Sequence, residues 1–307
     1  MTRSEMRSTH SVRPGHKKGR WLPLAFIGPH LIIFIIFILI PIVFGIHVSF
    51  TQWDLIGAPK WVGLDNFREI LFNTESSFHR MFKDGMKNTL LFVALNVPLC
   101  MVVPLAFALA LHMRPYGSRL YQSILYMPTL FSITAVGIIW MQLLNRRFGL
   151  ISIFNPAKPP QTHMPEAWIW LMVMTVWWTM ASNMVIYQSA LSSVSKDLYE
   201  SAQIDGAGPW ARFTRITLPS IKFQLLYTLV ITLAGSFNVY GQPTIMTKVD
   251  PASGPAIQVL VFYIRGLAFG SGQAVAGIAS AMAMMLGIFI IIVSAFQIRL
   301  ITRNDGY

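Results

Sequence analysis

Asp197-Leu-Tyr-Glu-Ser-Ala-Gln-Ile-Asp-Gly-Ala-Gly-Pro-Trp-Ala-Arg-Phe-Thr-Arg-Ile-Thr-Leu-Pro219 is the most informative stretch of this chain. Asp197 suits an N-cap, and Glu200 follows three residues later in capping-box register. Gly206 suits the stop of that short helix. Gly208-Pro209 restarts the chain, with Pro209 fit for the first helical position. A second short helix then runs to about Ile216, stacking Trp210, Phe213 and Ile216 or Thr217 at helical spacing. Two readings fit this chemistry. One is an interfacial elbow, with Trp210 and Phe213 among lipid headgroups and Arg212 and Arg215 on anionic lipid. The other is a rigid projection rather than a floppy link.

The surroundings of this stretch are apolar. Of 307 residues, 54% are hydrophobic and only 12% are charged, where soluble domains carry about 25% charged residues. So little charge cannot cover a water-exposed surface of this size, so the solvent for most of the chain is lipid. Six long windows lack Asp, Glu, Lys and Arg: 21–53, 88–113, 120–145, 167–195, 223–247 and 266–298. Each exceeds the roughly 20 residues needed to cross the hydrocarbon core. Residues 251–264, opening Pro-Ala-Ser-Gly-Pro, read as a loop. The expected fold is an all-α membrane protein with six transmembrane helices. The apolar run from Leu22 to Phe50 is far longer than a signal h-region of about 7–15 residues, so it reads as a retained first helix bent at Pro29 and Pro41.

Basic residues orient these spans. Six stand before Trp21. With that tail inside, fourteen of the 24 Lys and Arg fall on the cytoplasmic side, which places both termini in the cytoplasm. The 197–219 stretch then faces the cytosol. The net charge of +12 does not indicate nucleic acid, because the basic residues lie in short segments between apolar windows and no interleaved aromatic and basic groove appears. The single Cys100 excludes a disulfide framework or cysteine metal cluster within the chain and reads as a small packed apolar residue. No Gly-x-x-x-x-Gly-Lys-Ser/Thr phosphate loop and no His-Glu-x-x-His occur, so neither ATP binding by that route nor a zinc site is expected. The windows hold no Asp or Glu, which disfavours a proton-coupled carrier.

The quoted stretch resembles the EAA loop of permease subunits of binding-protein-dependent ABC importers, whose pattern is Glu-Ala-Ala, three residues, Gly, nine residues, Ile, one residue, Leu-Pro. Here it reads Glu200-Ser201-Ala202, Gly206, Ile216 and Leu218-Pro219 at the same spacing, departing only in Ser201, a small-for-small change. The resemblance implies a type I importer permease fold in a bacterial inner membrane. It also implies that the loop seats in a cleft of a separate ATPase. Leu198, Tyr199, Glu200, Ser201, Ala202, Asp205, Gly206, Ala207, Phe213, Ile216, Leu218 and Pro219 are then the coupling residues. The implied partners are a second homologous permease subunit, two copies of a cytoplasmic ABC ATPase and an extracytoplasmic solute-binding protein. ATP and Mg would sit on the ATPase, with no cofactor and no reaction on this chain.

Two further stretches resemble the carbohydrate branch of these permeases, that of the maltose-type, multiple-sugar and glycerol-phosphate first subunits. They are Trp61-Val-Gly-Leu-Asp-Asn-Phe-Arg-Glu-Ile-Leu71 and Ser236-Phe-Asn-Val-Tyr-Gly-Gln-Pro243 with Gly254-Pro255. The implied organisation is a basic tail (1–20), a first helix (21–53), an extracytoplasmic loop (54–87), a permease core (86–298, with the coupling loop 197–219) and a second cytoplasmic tail (299–307). Sugar recognition wants aromatic faces and amide or hydroxyl groups. Trp140 and Gln142, Trp177, Trp178, Asn183 and Tyr187, and Phe237, Asn238, Tyr240 and Gln242 are candidates for a substrate path, with aromatic belt or helix–helix glue as the competing role. Ala279, Ala283 and Gly287 place small residues at every fourth position, which permits another helix to approach closely, whether internal or in a partner.

Overall fold

The computed structural model describes residues 22–145, 149–150, 166–249, 254–270 and 275–304. The basic tail 1–20 and residues 305–307 of the second tail lie outside these. The chain divides into two units, 1–47 and 48–307.

Helix α1 takes up all of the described part of the first unit, and its last two residues belong to the second. It consists of Leu22–Phe34, a π-helical turn Ile35–Leu39 and a last segment Ile40–Ser49. Exposed Phe26, Ile32, Phe37 and Val43 show that it is apolar all round, as a lipid-facing helix is. The π turn ends just before Ile40-Pro41. A proline has no N–H to give and its ring crowds the carbonyl four residues back, so the ladder widens and Ile40 donates instead to Ile35 O.

The second unit opens with two short strands, β1 (Thr51–Gln52) and β2 (Lys60–Trp61), paired antiparallel with Thr51 opposite Trp61. Helix α2 (Asp65–Phe72) follows. Its buried Asn66 amide donates to the carbonyls of Ser49 and Thr51 at 2.8 and 2.9 Å. Hydrogen bonds from Ser76 and Asn73 hold the carboxyl of half-buried Glu69 below the ordinary value for a carboxylate.

Helix α3 (Ser77–His112) begins inside the segment 54–87 that the sequence reads as an outer loop. Ser76 caps it, accepting from Phe78 N at 3.2 Å, and the helix runs three turns through Arg80, Lys83, Asp84 and Lys87 before its charge-free part starts. Its 36 residues extend about 54 Å, well beyond a hydrocarbon core of about 30 Å. The third charge-free window is broken. Helix α4 (Ser118–Tyr126), a 3-10 turn Met127–Leu130 and helix α5 (Ile133–Leu143) meet at a bend of 104°. Pro128 and the N-cap Ser132 cause the break, and α6 (Glu166–Ser193) secures it through Trp178, whose indole N–H donates to Phe131 O at 3.1 Å.

Helices α7 (Lys196–Ile204) and α8 (Pro209–Arg212, the π turn Phe213–Thr217, then Leu218–Ser220) form the quoted stretch. Helix α9 (Lys222–Phe237) leaves α8 at 67°. The remaining helices are α10 (Gly241–Val249), α11 (Gly254–Ile257), α12 (Leu260–Phe269) and α13 (Ala276–Asn304). Residues 251–264 therefore hold helix rather than only loop. The buried Leu260 pulls the chain onto α3, where its N–H donates to Thr89 Oγ1 at 2.9 Å and its Cα would stand 2.9 Å from a Cβ at Gly85.

Among the described residues, four helices are long and apolar enough to cross a membrane, or up to six if each bent pair is one span. This is a predominantly helical, multi-pass membrane protein. Its core is one apolar cluster around Trp140, Leu171 and Met174, a second around Val97, Phe237 and Met282, and a third around Met184, Tyr187 and Ile221.

Candidate functional site

Two features stand out: the elbow formed by α7 and α8, and a polar seam where α3, α6 and α9 meet. In the elbow the N-cap is Ser195, not Asp197. Ser195 is extended and its Oγ accepts from Asp197 N at 3.2 Å, which places Asp197 in the first turn, where its charge complements the helix dipole. Glu200 is therefore free of the capping-box role and is exposed. The helix ends as expected: Gly206 adopts φ +77, with Ala207 N donating to Ala202 O at 2.8 Å and Gly206 N to Gln203 O at 3.1 Å. These are the paired bonds of a Schellman motif. Pro209 occupies the first turn of α8 and Trp210 packs on Phe213 with ring centroids 5.6 Å apart and the planes tilted by 39°.

Tyr199 and Thr217 share a hydrogen bond of 2.9 Å across the elbow and lock its two arms. The second π turn precedes Leu218-Pro219 as the first precedes Ile40-Pro41, so the helix runs on to Ser220 instead of stopping near Ile216. Leu198, Ser201, Asp205 and Pro219 are exposed, while Ala202, Ala207, Phe213, Ile216 and Leu218 are half-buried. The most exposed large apolar side chains of the elbow are Ile204 and Trp210, at 87% and 75%. Ile204 escapes sequence reasoning because it lies off the periodic face of a short polar helix. Tyr199→Phe should unlock the elbow at about 0.5–1.5 kcal/mol, the range for one hydrogen bond. A protease-accessibility assay on membranes should show faster cleavage between residues 205 and 209.

The polar seam starts from a proline. Pro104 inside α3 has no N–H for the carbonyl of Cys100, and in a membrane interior that carbonyl needs another donor. Asn183 of α6 supplies it at 2.8 Å and also donates to Thr232 Oγ1 of α9 at 3.0 Å. One turn earlier on α3, Asn96 donates to Ser236 Oγ at 2.9 Å, and the Cys100 thiol donates to Asn96 Oδ1 at 3.2 Å. Cys100 is thus a member of this polar set as well as a packed residue. Toward the elbow, Tyr187 and Thr228 share a bond of 2.7 Å. Replacing Asn183 by Leu should destabilise the protein by about 1–2 kcal/mol, since the Cys100 carbonyl loses its substitute donor. Thermal unfolding in detergent measures this.

Beside the seam lies a cavity of about 270 Å³. Asn96, Thr175, Thr179, Ser182, Asn183, Thr232, Ser236 and Gln242 line it, together with Phe92, Cys100, Ile231, Gly235 and Val239. It opens where Ser182, Ile231 and Gly235 are exposed. Of the residues proposed from sequence for a substrate path, Asn183 and Gln242 line it. The others lie elsewhere. Trp140 packs edge-on to Trp177 at 6.0 Å in the core, and Phe237 packs on Phe289 at 5.5 Å. Trp178 ties the helix break, and Tyr187 is glue between α6 and α9. Asn238 donates back to Ala234 O of its own helix, and Arg265 sits 4.7 Å over the Tyr240 ring. Thr175, Thr179 and Asn183, with Thr228, Thr232 and Ser236, were legible as polar residues repeating every fourth position on two spans. Of the small residues of α13, Ala279 is buried, Ala283 is exposed and a Cβ at Gly287 would meet nothing within 4 Å.

Residues 89–304 match the family described as the binding-protein-dependent transport system inner membrane component. The chain is 30% identical over 292 residues to the probable ABC transporter permease protein YesP of Bacillus subtilis (strain 168), covering 92% of this chain and 89% of that protein. It is 29% identical to the probable starch degradation products transport system permease protein AmyD of Thermoanaerobacterium thermosulfurigenes, over 94% and 96% of the two chains. It is 28% identical to the sn-glycerol-3-phosphate transport system permease protein UgpA of Shigella flexneri, over 94% and 97%. A chain of a bacterial alginate ABC transporter, solved in complex with an alginate pentasaccharide-bound periplasmic protein, has the same fold, with a TM-score of 0.80 at 24% identity over 94% of this chain and 96% of that one. With its apolar spans and its stiff two-helix elbow, this chain belongs to the inner-membrane permease components of binding-protein-dependent transport systems.

Proposed function

We propose that this chain is one of two homologous permease subunits of an ATP-driven importer for a neutral, polyhydroxylated solute, a sugar or oligosaccharide. It crosses a bacterial inner membrane six times with both termini in the cytoplasm. A loaded solute-binding protein docks outside. Two copies of a separate ATPase, which carry the ATP and Mg, close inside. The elbow is pushed by that closure. Its Schellman stop and the Tyr199–Thr217 bond make it stiff, so the push reaches α9 through the bend at Ile221, whose side chain is packed with Met184 and Tyr187. Helix α9 carries Thr232 and Ser236 on the cavity, so its movement reshapes a path shared with the second permease.

The observation that carries the solute class is the cavity lining: amides and hydroxyls set among apolar side chains, with no charged side chain. Amide and hydroxyl groups suit sugar hydroxyls. A phosphate would need a cationic partner, and none lines the cavity. The relatives support the same class, since starch degradation products are named for one of them, although sn-glycerol-3-phosphate is named for another. Affinity purification of the tagged chain in mild detergent tests the assembly: a second multi-pass permease and a Walker-type ATPase should co-purify. In proteoliposomes holding the whole complex, uptake should require ATP and be competed by oligosaccharides and not by glycerol phosphate. Uptake by this chain alone, without ATP, would identify a secondary carrier and defeat the reading.

A further inference from the structure

Two further cavities lie along α3, α4 and α6 on the way to the elbow. One is an apolar groove of about 770 Å³ between α3 and α6, walled by Leu99, Val103 and Phe107 on one side and Met172 and Met180 on the other, with Leu125 of α4 at its edge. The other is a polar pocket of about 370 Å³ lined by His112, Arg114, Gln122, Gln188, Lys196 and Tyr199, among others. They follow one another along the same helices. Phe107 of the groove stands one turn before Leu111 of the pocket, and Leu125 one turn after Gln122. Leu111 and Leu125 pack in the same apolar cluster.

The pocket is basic. No acidic side chain lines it, and Arg114 and Lys196 have no acidic partner among the described residues. The nearest acids in sequence, Asp197 and Glu200 of α7, are exposed outside the lining. Arg114 is held at φ +53, a left-handed conformation in which arginine is rare, just before Pro115. Gln188 Oε1 already accepts from the Tyr126 hydroxyl and from Gln122 Nε2, so its own amide N–H groups remain to donate among the described residues.

We propose that the groove and the pocket together bind an anionic phospholipid of the leaflet on the elbow's side. One acyl chain lies along α3 and α6, and the phosphodiester sits between Arg114 and Lys196. A dry groove that ends in clustered cations and amide donors is complementary to such an amphiphile. A packed helix of a partner would leave those cations unpaired. Arg114 follows the end of α3 and Gln188 lies on α6, while Lys196 and Tyr199 belong to the elbow, so the bound phosphate braces the elbow's root against α3 and α6. That brace matters to transport only on the coupling reading above; the lipid site itself does not depend on it.

The test uses the assembled permease–ATPase complex, equilibrated with phosphatidylglycerol or phosphatidylcholine and analysed by native mass spectrometry. Wild type should retain phosphatidylglycerol in preference. The variant Arg114→Gln/Lys196→Gln should lose roughly thirtyfold in that affinity, about fivefold for each basic charge near an anionic lipid. Val103→Trp, which fills the groove without changing charge, should also lower retention. Equal retention of the two lipids, or unchanged retention in either variant, overturns the proposal. Displacement of phosphatidylglycerol by millimolar inorganic phosphate also overturns it and assigns the pocket to a free anion. If the double variant fails to assemble, the wild-type preference and Val103→Trp decide. Glu200→Lys keeping its lipid while losing the ATPase would separate this site from the coupling reading.

Discussion

Glu200→Lys is expected to strip the ATPase from the purified complex and to lower ATP-dependent uptake more than tenfold, with the chain itself present in the membrane at its normal level. The argument rests on the cap. Because Ser195 and not Asp197 starts α7, Glu200 has no structural duty in its own helix and stands exposed on the elbow. Reversing its charge should leave the elbow folded. Against a docked partner, a misplaced charge costs about 2–5 kcal/mol, a loss of thirtyfold or more in affinity. The control is Ser201→Ala, which restores the family's Glu-Ala-Ala. Ser201 Oγ donates only to Leu198 O of the preceding turn, so that variant should behave as wild type. The prediction fails if Glu200→Lys keeps its ATPase and transports within about twofold of wild type.

The second large effect is structural. Gly277 stands at the start of α13, where a Cβ would lie 1.9 Å from the Thr51 carbonyl oxygen and 3.0 Å from Asn66 Nδ2. Backbone cannot rotate out of the way as a side chain can. Gly277→Ala must separate α13 from the β1 segment, straining the Ala276 N to Trp53 O bond of 2.9 Å and the two bonds that Asn66 makes. Overpacking and the loss of buried hydrogen bonds together should destabilise the chain by about 3–5 kcal/mol. Little folded protein should then be recovered in detergent, and its melting temperature should drop sharply. Gly266→Ala is the matched control, because its Cβ would meet nothing within 4 Å. Gly277→Ala melting within about 2 °C of wild type would refute the packing argument.

Residues repeating along the chain show what could be read without coordinates. Four of the charge-free windows located the long apolar helices among the described residues, because burying an unpaired charge in lipid is so unfavourable that its absence marks depth. The elbow's stop at Gly206 and restart at Pro209 were legible because both depend only on local backbone chemistry. Residue type does not decide the cap: Ser195 and Asp197 are both good caps, and the bond from Asp197 N to Ser195 Oγ chose between them. Trp140, Phe237 and Tyr187 were plausible path residues by type. The packing assigned Trp140 and Phe237 to the apolar core and Tyr187 to the α6–α9 contact.

Composition and short-range pattern alone determined that this is a multi-pass helical membrane protein with a rigid elbow, because lipid solvation and helix termination act residue by residue. Tertiary structure alone decided that the third window breaks at Pro128, that α12 folds onto Thr89, and that Asn183 repairs the ladder at Pro104. It also brought Asn96, Thr175, Thr232 and Gln242 around one cavity. These outcomes depend on which carbonyl or apolar face another helix happens to reach, and residues 49 to 171 positions apart in sequence meet only once the helices have packed.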